Sequence, residues 1–162
     1  MNVRAASEAD LPAILAIYND AVRNTTAIWN ETPVDLENRR TWFAARRKAG
    51  FPVMVADEGG RVAGYGSFGD FRPFEGYRVT VEHSLYVASD ARRRGHGAAL
   101  LAALIDEARK LEKRAMIGGI DAENTVSIAL HAKFGFAEVG RLPGVGIKFG
   151  RALDLVLMQK NL

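Results

Sequence analysis

The chain contains no cysteine, so a disulfide framework, a thiol nucleophile and a thiolate metal site are excluded together. A reducing compartment, the cytoplasm, is the compatible setting. Long apolar runs are missing too. The most continuous, residues 98–105, falls far short of the roughly 18 residues that a membrane span requires. No basic segment followed by an apolar core begins the sequence, so neither export nor membrane insertion is expected. Charge of one sign is scarce, since 22 basic residues are set against 19 acidic ones. Histidine is scarcer still, and its three positions have no zinc-binding spacing, so no metal is expected. There is also no internal repeat, low-complexity stretch or long linker.

What remains is an ordinary globular composition, 48% hydrophobic and 25% charged over 162 residues. That length suits one domain spanning residues 1–162, in which roughly 70% of the unfolded surface can be buried. Residues 3–5 read as a short strand, and Ser7 or Asp10 caps a helix with apolar positions Leu11, Ile14, Leu15, Tyr18 and Val22. Pro12 is tolerated in its first turn. Asp35 caps a second helix, ended by Gly50. Residues 51–57 and 62–68 alternate as a hairpin, and residues 69–76 hold too much turn chemistry for a regular element. Strands are expected at 79–87, 115–120, 137–142 and 153–159, with helices around Leu100 to Leu111 and over 125–134. The order β-α-α-β-β-β-α-β-α-β-β describes an α/β protein with a mixed sheet and helices on both faces.

Chemistry concentrates in residues 85–101, where a strand runs into a basic, glycine-bearing turn and then a helix. Glycines at 95 and 97 allow the backbone to approach a ligand closely, and free N–H groups at a helix start favour phosphate oxygens. A P-loop is excluded because no Gly-Lys-Ser/Thr ending exists. A dinucleotide-binding turn fits poorly. Its third glycine would be Leu100, and the motif follows a mostly antiparallel half-chain instead of opening the fold.

Arg92-x-x-Gly95-x-Gly97, followed by Ala99-Leu100-Leu101, resembles the coenzyme A pyrophosphate motif of the GNAT superfamily of N-acetyltransferases. Asn124 and Ser127-Ile-Ala-Leu-His-Ala-Lys-Phe-Gly-Phe136 resemble its second signature. Segments 24–33, 72–76, 81–87 and 146–150 are similar to the phosphinothricin and methionine sulfoximine acetyltransferases, so the resemblance covers essentially the whole chain. It implies a GNAT-type, mostly antiparallel sheet, acetyl-coenzyme A as co-substrate, a small-molecule amine as acceptor and a homodimer. Where many GNAT enzymes carry a tyrosine acid, this chain has His131.

The resemblance also distributes roles. Glu82 is the candidate base, with a solvated or salt-bridged strand residue as the ordinary alternative. His83 falls on the opposite face of a regular strand and is the weaker partner. His131 either relays a proton near the sulfur or is a packed core histidine. Backbone N–H groups of Arg92, Arg93, Arg94, Gly95, His96, Gly97, Ala98 and Ala99 would hold the pyrophosphate, His96 contributing only its N–H. Val87 would pair with the pantetheine amides as an added strand would, and Asn124 would bond to the same arm. A backbone N–H near Leu85 or Tyr86 would receive the oxyanion. Arg72 is a candidate carboxylate clamp or a plain surface arginine. Phe74, Glu75, Gly76, Tyr77 and Ser84 would shape the acceptor site. Two other functions stand beside this one, acetylation of a protein N-terminus or polyamine, and a non-catalytic basic module on nucleic acid. Neither nucleic acid nor membrane is the expected partner.

Overall fold

The computed structural model describes residues 2–162. Its elements are β1 (Asn2–Ala5), α1 (Leu11–Asn24), α2 (Leu36–Lys48), β2 (Val53–Glu58), β3 (Arg61–Asp70), β4 (Thr80–Val87), α3 (His96–Lys110), β5 (Ala115–Asp121), α4 (Thr125–Lys133), β6 (Ala137–Lys148) and β7 (Arg151–Asn161). The order is the expected one. The strands form one seven-stranded sheet in the order β1-β2-β3-β4-β5-β7-β6. All neighbours are antiparallel except β4 and β5, which run parallel because α3 carries the chain back across the sheet.

Strand alternation divides the core in two. Tyr65, Val53 and Val55 pack with Leu11, Ile14, Ile17 and Phe43 under α1 and α2. On the other face, Phe68, Val81, Met116, Ile120, Val156 and Met158 pack with Leu101, Leu104 and Ile105 of α3. Helix ends follow the sequence signals. Asp35 Oδ1 accepts from Asn38 N at 2.9 Å, Asn124 Oδ1 accepts from Ser127 N at 3.1 Å, and Gly135 leaves α4 at φ 82°. Asp10 accepts a two-pronged bond from Arg4 at 2.9 Å, which ties β1 to the start of α1.

The last two strands differ from expectation. β6 runs on to Lys148 and turns into β7 through Phe149 and Gly150, both at positive φ (51° and 71°), the geometry of a tight hairpin turn. Pro143 and Gly144 read as a break, but they lie within β6 at a register shift between Leu142 and Gly146. The edge position of β6 tolerates the missing proline donor.

Candidate active site

The parallel pair β4–β5 is short. Thr80 to His83 pair with Ala115 to Gly118; beyond that point Ser84 to Val87 pair only with β3, and Gly119 to Asp121 only with β7. The sheet therefore forks, and Leu85, Tyr86 and Val87 present one strand edge without a neighbour. Unpaired strand edges accept an extended, amide-bearing guest.

At the open end of the fork, β4 leads into the basic turn. Arg93 and Gly95 both have positive φ (63° and 87°), a strained pair that aims successive N–H groups outward. Ala99 N already bonds to Gly95 O at 3.0 Å, so His96, Gly97 and Ala98 supply the free N–H groups of the helix start. Arg92, Arg93 and Arg94 are exposed around them. A Cβ on Gly97 would meet Leu130, Val87 and Leu85 at 3.4–3.9 Å, so any larger side chain fills the cradle. The residues fit a pyrophosphate. Asn124, just past the end of β5, flanks the same opening; its side-chain oxygen is committed to the α4 cap, which leaves its NH2 group as a donor. The His96 ring is buried, with neither nitrogen hydrogen-bonded among the described residues and Glu58 at 3.8 Å.

Glu82 projects toward the α1–α2 face. Its Oε1 lies 3.3 Å from where a Cβ on Gly119 would be, so the carboxylate leans over a position on β5 that carries no side chain. Half-burial raises its pKa, and Arg72 opposes this with its positive charge. On the same side, burial pushes the Tyr86 phenol up to about 12. Arg72, Phe74, Glu75, Gly76 and Tyr77 are exposed on the loop between β3 and β4, at the end of the sheet opposite the fork. The Arg72 guanidinium lies over Phe71, 4.3 Å from its centroid, and donates to the Phe71 carbonyl at 3.0 Å. Ser84 is half-buried between Glu82 and Tyr86.

His83 and His131 lie on the other face of the sheet, both buried. Their rings stack at 5.0 Å, with Nε2 atoms 3.1 Å apart. His131 Nδ1 lies 2.7 Å from the Ser127 carbonyl oxygen, which only accepts, so that nitrogen carries the proton. In a neutral ring the His131 Nε2 then accepts from the N–H of His83 Nε2, leaving His83 Nδ1 buried without a partner among the described residues. Burial and then the neighbouring His131 hold the His83 pKa down at about 3, and burial also lowers that of His131. This is a packed, hydrogen-bonded pair, separated from Glu82 by the sheet.

Sequence reasoning gave no role to Lys148, which is fully buried on β6. Its Nζ donates to the carbonyls of Thr25 (2.5 Å) and Ile28 and reaches that of Ala21 at 3.5 Å. Burial lowers its pKa, opposed by Glu31. The segment between α1 and α2 is thereby pinned to the β6–β7 hairpin. Thr26 donates to Asp121 and Phe149 N to Glu31 (2.7 Å). Trp29 lies so close to Gly146 that a Cβ there would stand 2.2 Å from its ring. Through the contact with Asp121, two residues beyond Gly119, this wall borders the Glu82 cleft. The largest depression on the molecule, about 510 Å³ beside Leu11, Arg40, Phe43 and Arg47, lies elsewhere and contains none of these groups.

The Acetyltransferase (GNAT) family matches residues 14–136. The chain belongs to the GNAT family. It is accordingly an acetyl-CoA-dependent N-acetyltransferase. It is 58% identical over 162 residues to the L-methionine sulfoximine/L-methionine sulfone acetyltransferase of Pseudomonas paraeruginosa, covering 99% of this chain and 94% of that protein. It is 43% identical to the phosphinothricin N-acetyltransferase of Alcaligenes faecalis, covering 99% and 82%. Among solved GNAT structures, the ribosomal-protein-alanine N-acetyltransferase of Brucella melitensis has a TM-score of 0.99 at 60% identity, covering 100% of both chains. A Salmonella typhimurium protein solved with its cofactor acetyl-CoA has a TM-score of 0.97 at 50% identity, covering 99% and 93%.

Proposed function

We propose that this GNAT enzyme transfers an acetyl group from acetyl-coenzyme A to the amino group of a small amino acid of the methionine sulfoximine or phosphinothricin kind, by direct attack within a ternary complex. The observation that carries the reading is Glu82, a half-buried carboxylate leaning over Gly119 beside a forked sheet. An α-amino group with a pKa near 8 is mostly protonated at neutral pH. Glu82, with its raised pKa, takes that proton as the amine nitrogen bonds to the thioester carbonyl and the carbon–sulfur bond breaks. The N–H groups of His96 to Ala98 and the nearby arginines hold the pyrophosphate, while the free edge of Leu85 to Val87 holds the pantetheine and the carbonyl oxygen. The fork and the loop at 71–79 lie at opposite ends of β4, so co-substrate and acceptor reach Glu82 from two directions.

The relatives' names support the acceptor class. The setting we propose is the cytoplasm, which supplies the coenzyme A thioester. A homodimer is part of the same proposal, supported by Val139, Leu142, Val145 and Ile147, which are exposed along edge strand β6. The test is an acceptor panel read by coenzyme A release. Methionine sulfoximine and phosphinothricin are expected to have a kcat/KM well above that of a ribosomal-protein N-terminal peptide or a polyamine, with intersecting initial-velocity lines. A preference for the peptide or polyamine overturns the acceptor class, and parallel lines overturn the ternary complex.

A further inference from the structure

Beside the Glu82 cleft, an arginine occupies space that the sheet leaves without a side chain. Gly69 is the cross-strand partner of Glu82 in the β3–β4 ladder, so both positions face α1 and α2. A Cβ on Gly69 would stand 1.6 Å from Nη1 of Arg46 and 2.7 Å from its Cζ. The guanidinium of this α2 residue thus rests against the strand where any other residue would project. Gly69 lies inside regular strand and lacks a positive φ, so backbone conformation does not call for glycine there. Room for Arg46 does.

Arg46 is half-buried. Among the described residues its guanidinium enters no hydrogen bond or ion pair, and Asp70, on the alternate side of β3, acts on it only through space. A desolvated cation with free donors is costly unless a partner arrives. Neighbouring strands are about 4.8 Å apart. The Glu82 carboxylate, leaning toward β5, and the Arg46 guanidinium, lying over β3, are therefore separated by about two strand spacings, ~10 Å. Two hydrogen bonds of about 2.8 Å leave roughly 4 Å between them, close to the span from the nitrogen to the far carboxylate oxygen of an α-amino acid.

We propose that Arg46 binds the carboxylate of the acceptor whose amine is received by Glu82, so that Arg46, held in place by Gly69, selects α-amino acids over simple amines. The assignment rests on the function proposed above and names the residue that enforces its substrate class. A guanidinium suits it because its planar fork engages a carboxylate with two bonds.

Two substitutions test it by different routes: Arg46→Gln removes the charge, and Gly69→Ala keeps the arginine but displaces it. Each is assayed with methionine sulfoximine and with the amine that lacks only its carboxylate. Both variants are expected to raise the amino acid KM about 10²-fold and to leave the acetyl-CoA KM and the rate with the decarboxylated amine unchanged, so the wild-type preference collapses. An unchanged amino acid KM overturns the assignment. Equal losses with both acceptors also overturn it, because they make Arg46 structural. A wild-type enzyme that acetylates no amino acid overturns the functional reading itself, an outcome recognisable before either variant is made.

Discussion

The Glu82 carboxylate combines two opposed demands, because the burial that suits it to proton transfer also disfavours its ionised form in the fold. Its folded pKa lies above its unfolded value. The unfolded chain therefore ionises first, and stability falls as pH rises from the ordinary glutamate range through the folded pKa. Glu82→Gln removes that loss. The variant should melt no lower than wild type at pH 7 while turnover falls about 10²-fold. The deficit should narrow toward pH 9, where the acceptor amine deprotonates unaided. Thermal melts and a pH–rate profile read both effects, and near-wild-type turnover at pH 7 would assign Glu82 to structure. Much of this was legible in residue type and spacing, since Glu82, the glycines at 95 and 97 and the opposite facing of His83 follow from motif and alternation. The pairing of His83 with His131 was not, because two residues 48 apart meet only through the packing of α4 on the sheet. Neither was Lys148, since a lysine in an apolar strand gives no sign that backbone carbonyls 120 residues earlier await it.

Between elements, the decisive contacts join the segment after α1 to the β6–β7 hairpin. Lys148 gathers carbonyls from the end of α1 and the segment beyond it, and these lose their partner if the side chain is cut back. Lys148→Met keeps the apolar stem and removes the donor. We expect a loss of about 2–3 kcal/mol in a urea titration, the cost of orphaned buried acceptors that had bonded to a charge. A raised acceptor KM with an unchanged acetyl-CoA KM should accompany it, because the wall beside Glu82 loosens and the fork does not. A variant as stable as wild type would mean that water replaces the ammonium. Element order and helix caps were readable because Asp35, Asn124, Gly50 and Gly135 are strong local signals. The β6–β7 turn escaped because Phe149 is an unusual residue at positive φ, and Pro143-Gly144 offered a more conventional break nearby.

For the whole molecule, the fork predicts that co-substrate and fold stabilise each other. A ligand that bridges β4, β5 and the start of α3 binds only the native state, so acetyl-CoA at a hundredfold excess over its Kd should contribute about 2.7 kcal/mol. At this size that raises Tm by about 5–10 °C, readable by scanning calorimetry; an unshifted transition would contradict the assigned cradle. The order of the sheet has a consequence of another kind. β7 is the last strand in sequence, yet it lies between β5 and β6. During synthesis, then, β6 emerges with no neighbour to join, and β5 waits with one edge bare, until residues 151–161 leave the ribosome and close the seam. The sheet is completed from its interior, so the interval before β7 arrives is when two long strand edges are open to other chains.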